Sequence, residues 1–303
     1  MVREDLGSIL SAEVDGLGVG RTREDLTLVG EGRTAEILSW DEGRVVRLFR
    51  EEASRAYAQR ELGVSRAVHD AGLPSPAVFL AETEDGLVEI DGRFGITMEY
   101  IRGPSMLEEV TRRPWRLRSA ARTFARIHLL IHACGDATLP SQRERLHLTV
   151  ERIAKLVGED VAERILRTLQ GLPDGQAVCH GDFHPDNMLM GSEGPVVIDW
   201  GPATVGNPAG DVAWTAYLFR HAALPPGTTW ACRLLANLIR RLFLRLYLRD
   251  YLRESEIRRD EIERWSVPMA ALRLGDGIPE EQELLLRIIR RGLGLAEAEG
   301  EIG

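Results

Sequence analysis

Residues 178–201 read VCHGDFHPDNMLMGSEGPVVIDWG, and the part from Met188 to Trp200 constrains the fold most. Met188-Leu189-Met190 and Pro195–Trp200 are short apolar runs, the second rich in Val and Ile, separated by Gly191-Ser192-Glu193-Gly194. Short apolar runs bounded by turn residues predict a β-hairpin, here with a four-residue loop. Pairing Met190 with Pro195 and counting outward sets Asn187 opposite Ile198, beside Asp199. Cross-strand neighbours have Cβ atoms about 5 Å apart and diagonal ones about 7 Å. Asn187 and Asp199 are therefore expected at one end of the hairpin, close enough to share a cation. Amide and carboxylate oxygens suit a hard ion such as Mg²⁺, which keeps several waters and takes few protein ligands. Asp182 lies five residues before Asn187, on the loop that feeds the hairpin. One carboxylate to accept a hydroxyl proton, and an Asn with a second Asp to hold Mg²⁺ on nucleotide phosphates, is the layout phosphoryl transfer needs.

The same loop holds His180, His184 and Asp186, which invites a zinc reading. Catalytic zinc takes three N, O or S ligands. His180 and His184 are four apart, but Gly181 and Pro185 work against a helix presenting both on one face. Zinc is therefore the weaker reading. His128 and His132 in HLLIH have helical spacing too, yet Leu129 stands where a zinc-protease helix needs Glu. Both are expected to pack, and Cys179 to be a small buried hydrophobe.

A net charge of -9 and a pI near 5.4 argue against a general nucleic-acid surface. Three scattered cysteines, Cys134, Cys179 and Cys232, fit a reducing compartment. The opening MVREDLGSIL has no apolar signal region, and no run of 18 apolar residues offers a membrane span. The expectation is a cytoplasmic protein with no membrane or nucleic-acid partner; nothing in the chain sets an oligomeric state. Of 38 basic residues only Lys155 is a lysine, so arginine stands wherever chemistry would otherwise use lysine.

The first hundred residues favour strands around one helix. LTLVGEGRTAEILSW (26–40) has apolar residues on either side of a Gly-containing turn, and GRVVRLFR (43–50) alternates as a strand after Asp41-Glu42-Gly43. Residues 51–71 carry a helical pattern that stops at Gly72. Residues 86–101 predict a hairpin turning at Asp91-Gly92. Gly103-Pro104 marks a boundary, giving a β-rich domain over 1–101 and a helical domain over 102–303. Helices are expected over 115–133, 144–170 and 230–253. In the last of these Leu234, Leu235, Leu238, Ile239, Leu242, Leu246 and Tyr247 form a stripe expected to face a core. The closing AEAEGEIG is expected to fray.

HGDFHPDN with VVIDWG resembles the aminoglycoside phosphotransferase and choline-kinase-like family, and GNPAGDVAW resembles its Gly-x-Pro-x-x-Asp segment. The resemblance runs from about Gly30 to about Ile278 and is strongest over 178–214. It implies a two-lobed protein-kinase-like α+β fold, with a small antiparallel β-rich N-lobe that binds nucleotide and a larger, mostly helical C-lobe. It implies ATP and Mg²⁺ as cofactors and a small-molecule hydroxyl acceptor. By the same resemblance Asp182 is the base, Asn187 and Asp199 hold metal, His180 braces the loop, His184 and Asp186 shape it, and Asp211 is a buried structural carboxylate. GEGRTA, with Gly30 and Gly32, matches the turn over the phosphates, and TMEYIRG matches the hinge where backbone near Glu99 and Ile101 would bond adenine.

The family's phosphate-binding lysine is replaced here by Arg47. Its expected partner is Glu61, a charge set among Tyr57, Val64 and Val68 and costly there unless paired. Arginine at this position leaves a second reading open, a degenerate kinase fold that binds nucleotide or a partner without transfer. Trp214, Tyr217, Trp230 and Trp265 are candidate aromatic walls for the acceptor. Residues 250–283 mix acids with arginines, so no strongly acidic pocket for a polycation is expected.

Overall fold

The computed structural model describes residues 21–32, 34–135, 138–221 and 229–295; the opening segment, Arg33 and the closing AEAEGEIG lie outside them. The chain divides into two compact units, Met1–His69 with Pro76–Ile101 and Asp70–Ser75 with Arg102–Gly303. Residues 70–75, at the end of the first helix and just after it, thus belong to the larger unit.

The smaller unit is built on an antiparallel sheet of β1 (Leu28–Glu31), β2 (Ala35–Ser39), β3 (Arg44–Phe49), β4 (Val78–Phe79), β5 (Val88–Ile90) and β6 (Arg93–Glu99), with helix α1 (Arg55–Asp70). Strand order is β1-β2-β3-β6-β4, and β5 pairs with β6. Asp91 and Gly92, both at positive φ, make the two-residue turn between β5 and β6. Side chains alternate across a strand. Val46 and Leu48 of β3 therefore enter one core with Leu38, Trp40 and Ile90, while Phe49 enters the other with Ala58 and Leu62 of α1. Arg47 shares the face of Phe49, and so points to the side where α1 packs. Gly72, at φ 73, follows the end of α1 where a left-handed residue is needed.

The larger unit holds α2 (Met106–Arg112), α3 (Leu117–Ala133), α4 (Gln142–Val157), α5 (Glu159–Gln170), β7 (Ala177–Cys179), β8 (Met188–Gly191), β9 (Gly194–Val197), β10 (Thr204–Gly206), α6 (Pro208–His221), α7 (Trp230–Glu254), α8 (Arg259–Arg264), α9 (Ser266–Leu274) and α10 (Pro279–Gly292). β7 pairs with β10 and β8 with β9. The helix expected over 144–170 is two helices, broken at Gly158, whose φ of 94 no helix accommodates. The hairpin loop is also shorter than expected. Met190 does pair with Pro195, but Gly191 pairs with Gly194, leaving Ser192 and Glu193 as the connection.

Phe124 of α3 is the hub of this core. It stacks on Phe183 at 4.2 Å and meets Phe243 and Tyr247 of α7 edge-on at 5.5 and 5.1 Å. These contacts begin at Phe243, and that corrects the expectation for α7. Its C-terminal half is buried, whereas Leu234, Leu235, Leu238 and Leu242 are 66, 58, 63 and 45% exposed. The helix runs 25 residues against an α3 of 17, so its first half extends past the aromatic cluster. Among the described residues, no helix is long and apolar enough to cross a membrane.

Candidate active site

The loop between β7 and β8 is fixed from beneath by one carboxylate. The N–H groups of His180 and Gly181 donate to Asp211 Oδ2 and Oδ1 at 2.7 and 2.9 Å. Gly181 lies at φ 76, and a Cβ there would stand 2.5 Å from the Pro202 carbonyl oxygen, so the tight loop needs glycine. Asp211 also bonds His128 Nε2 at 3.1 Å and His132 Nε2 at 3.2 Å. The other nitrogens of these rings each meet a tyrosine hydroxyl of α7 at 2.7 Å, Tyr247 for His128 and Tyr251 for His132. The two histidines thus do more than pack. Burial, then the charge of His132, pushes the His128 pKa down to about 3 against the pull of Asp211, so this ring is neutral. Burial opposes the charge of Asp211, but His128 and His132 outweigh it and hold its pKa well below the carboxylate range. The trio is close enough to ligate a metal. With four hydrogen bonds already on Asp211, it is a brace and not a metal centre.

His180 extends the brace. Its Nδ1 accepts the Asp182 N–H at 3.2 Å, which leaves Nε2–H to donate to the Ile198 carbonyl at 3.1 Å. Loop and hairpin are thereby tied together one residue before Asp199. Asn187 N–H groups reach the Asp182 carbonyl at 3.0 Å and its Oδ2 at 3.4 Å, and Trp214 Nε1 donates to Asp182 Oδ1 at 3.3 Å. His184 Nε2 stands 3.6 Å from Oδ2. Burial works to raise the Asp182 pKa, yet His184, His180 and Trp214 prevail and hold it below the usual value. Burial likewise opposes the His184 charge, and Asp182, Asp186 and Asp199 overcome it, raising its pKa. His184 thus faces Asp182 as well as shaping the loop through its Nδ1 bond from the Asp186 N–H, while Asp186 accepts from Ser105.

The Ile198 N–H donates to the Asn187 carbonyl at 2.9 Å, so Asn187 and Asp199 leave the same end of the hairpin. Asp199 sits at φ 61, an uncommon conformation that a short polar side chain tolerates. The Asn187 amide nitrogen faces Asp182, which leaves its amide oxygen, with the Asp199 carboxylate, as a hard-oxygen pair of the type Mg²⁺ takes.

In the smaller unit Arg47 and Glu61 meet at 3.7 Å, with side chains only 13 and 4% exposed. Arg60 also approaches Glu61, at 3.9 Å, and Arg47 reaches Thr34 Oγ1 at 3.5 Å. Gly32 N–H closes the β1–β2 turn on the Ala35 carbonyl, and a Cβ at Gly30 or Gly32 would meet only ordinary contacts. Neither glycine is demanded by its own turn. Glu99 N–H and carboxylate both pair with Ala77, while the backbone of Ile101 has no partner among the described residues.

Of the four candidate aromatic walls, Trp214 alone hydrogen-bonds Asp182. Tyr217 stacks beside Trp214 at 6.0 Å, Trp265 is core, and Trp230 is 79% exposed. Sequence reasoning missed the Trp214 bond to Asp182. The signal was its place one helical turn after Asp211, which turns it to the same loop.

A model described as the phosphotransferase enzyme family matches residues 26–257. A search of curated proteins finds no match. Among solved structures, a thermostable mutant of aminoglycoside phosphotransferase APH(4)-Ia aligns with a TM-score of 0.61 at 15% identity, over 89% of this chain and 94% of that one. Amicoumacin kinase hAmiN, solved with AMP-PNP, Ca²⁺ and Ami, gives 0.61 at 14% over 90 and 89%. APH(2″)-IIa in its ternary complex with streptomycin and ATP gives 0.57 at 16% over 89 and 90%. These likenesses establish the kinase-like fold of an antiparallel sheet followed by a helical part.

Proposed function

Because the chain belongs to the phosphotransferase enzyme family, we propose that it transfers the γ-phosphoryl group of ATP, with Mg²⁺, to a hydroxyl of a small molecule. One observation carries this reading: the Asp182 carboxylate lies against the Asn187 amide, at the end of the hairpin from which Asp199 also leaves. Asp182 takes the proton of the acceptor hydroxyl as its oxygen bonds to the γ-phosphorus. The bond to the β–γ bridging oxygen breaks, and ADP leaves with that electron pair. Asn187 and Asp199 would hold Mg²⁺, which supplies positive charge to the phosphate oxygens. Arg47, held by Glu61, binds phosphate, and Gly30 and Gly32 keep the turn over it free of side chains. Backbone near Glu99 and at Ile101 takes the adenine. In this reading residues 1–101 bind nucleotide and 102–303 carry base, metal ligands and acceptor, in a cytoplasmic setting.

The family's aminoglycoside relatives make an aminoglycoside-like antibiotic, amino-alcohol or sugar the acceptor class to try first. The test is ADP release with Mg-ATP across a panel of such hydroxyl compounds. Asp182→Asn should lower turnover by about 10²–10⁴ and leave ATP affinity nearly unchanged. Turnover within about threefold of wild type would remove Asp182 from the role of base. Arg47 in place of lysine favours one other reading, a nucleotide binder without transfer. ATP binding with no acceptor-dependent ADP release would establish that reading instead.

A further inference from the structure

A cavity of about 200 Å³ opens in the larger unit where α6, α7, α8, α9 and α10 converge. Its floor is apolar, with Leu248, Leu252, Ile262 and Met269. Apolar cavities near 150 Å³ accept a benzene ring, so this one has room for about one ring or a short alkyl chain. Its rim is charged. Arg220 from α6 and Arg259 from α8 stand at the mouth, both open to solvent, with Glu263 and His221 beside them.

This chain pairs its arginines readily. Arg273 grips both oxygens of Glu281 at 2.7 Å, and Arg258 and Arg264 share Asp260 at 3.1 Å. Neither Arg220 nor Arg259 has a carboxylate within ion-pair reach among the described residues. Partial burial and then the neighbouring charge of Arg259 push the Arg220 pKa down, and Glu263 only partly opposes them. Two like charges thus oppose each other beside an apolar floor. The end of α6 accounts for one cation in its last turn, but Arg259 is the first residue of α8, where the helix dipole disfavours positive charge. Burial and then Arg220 push the His221 pKa down against the pull of Glu281.

We propose that this cavity binds a small amphipathic anion, an apolar ring or short alkyl chain ending in a carboxylate or phosphate. The apolar end would fill the floor, and the anionic end would lie between the Arg220 and Arg259 guanidinium groups. The site rests on the cavity's own residues and stands or falls separately from the transfer reaction. It is nevertheless near Asp182: Tyr217 lines it, and Tyr217 stacks on the Trp214 that donates to Asp182.

The test is calorimetric titration of the full chain with octanoate, octan-1-ol and octylammonium. Octanoate should bind about tenfold more tightly than octan-1-ol, as one charge-assisted contact gives, and octylammonium weakest. Arg220→Ala and Arg259→Ala should each weaken octanoate severalfold without changing octan-1-ol, and Arg220→Lys should recover much of the loss. Equal binding of octanoate and octan-1-ol, tighter binding of octylammonium, or no binding of octanoate overturns the proposal. Titration with 8-hydroxyoctanoate and Mg-ATP separates the two sources of such a ligand. Binding with ADP release identifies an acceptor, and binding without it a separate ligand; both support the anion site.

Discussion

Each unit buries one carboxylate on which a proposed functional group depends, and the two are held differently. Asp211 is saturated, with two backbone N–H groups and two imidazoles at 2.7 to 3.2 Å. Glu61 faces side chains instead, with the Arg47 and Arg60 guanidinium groups at 3.7 and 3.9 Å. The difference follows from what each must fix. Asp211 sets backbone, the His180–Gly181 step that positions Asp182, and backbone placed wrongly by 1 Å is costly in rate. In the proposed function Glu61 orients a long side chain that must still adapt to phosphate, and such contacts commonly tighten only when ligand binds.

The comparison breaks most directly at Asp211. Asp211→Ala would strand two imidazoles and two N–H groups in the core and should cost roughly 3–5 kcal/mol of stability, read from the denaturation midpoint. Glu61→Ala, which strands no backbone N–H group that Asp211 holds, should cost less; equal midpoints for the two variants would refute the distinction between a carboxylate that fixes backbone and one that faces side chains. Arg47 sharpens the other side. Arg47→Ala should cut Mg-ATP turnover by about 30- to 100-fold, as for loss of one charged phosphate contact. Glu61→Ala should resemble it, and Arg47→Lys should keep a substantial part. Unchanged turnover in Arg47→Ala would show that the clamp lies elsewhere.

Acid tests the Asp211 side more gently. His128 has its folded pKa depressed to about 3 from a usual 6.5, so the unfolded chain binds the proton first. Its contribution to stability is full above about pH 6.5 and is lost as pH falls toward 3, by up to about 1.4 kcal/mol per pH unit. Asp211, also depressed, loses its contribution in the same direction at lower pH. Midpoints measured from pH 7 to 4 should fall, and His128→Gln should flatten that slope; an equal slope would remove His128 as its source. The smallest effect is expected at Trp214. Trp214→Phe keeps the ring and deletes the N–H to Asp182, so kcat should drop about five- to tenfold with KM for ATP unchanged. A rise in KM with kcat intact would make Trp214 a packing residue only.

The β8–β9 hairpin was legible because its register is set locally: Gly191 to Gly194 allow few turns, and Met190 can pair only near Pro195. The loop length was missed because Gly191 and Gly194 extend the ladder themselves. The Arg47–Glu61 approach was legible as a charge stranded in an apolar stripe. The brace on Asp211 was not, since His128 and His132 meet tyrosines 119 residues away. Its trace lay in two pairs with the same spacing of four, on helices that only the fold brings together. For α7 the sequence specifies the helix, but how far its apolar side is covered depends on where Phe243 meets Phe124, a tertiary fact.

Arg47 also has a consequence for labelling chemistry. A lysine at a phosphate clamp is a nucleophile, open to acylation by reactive nucleotide analogues and to acetylation as a switch. A guanidinium that stays protonated is neither. The chain's single lysine, Lys155, lies on the exposed side of α4. If Arg47 clamps phosphate as proposed, amine-directed nucleotide probes that report clamp occupancy through a lysine would pass over it, and acylation could not act on the clamp residue itself.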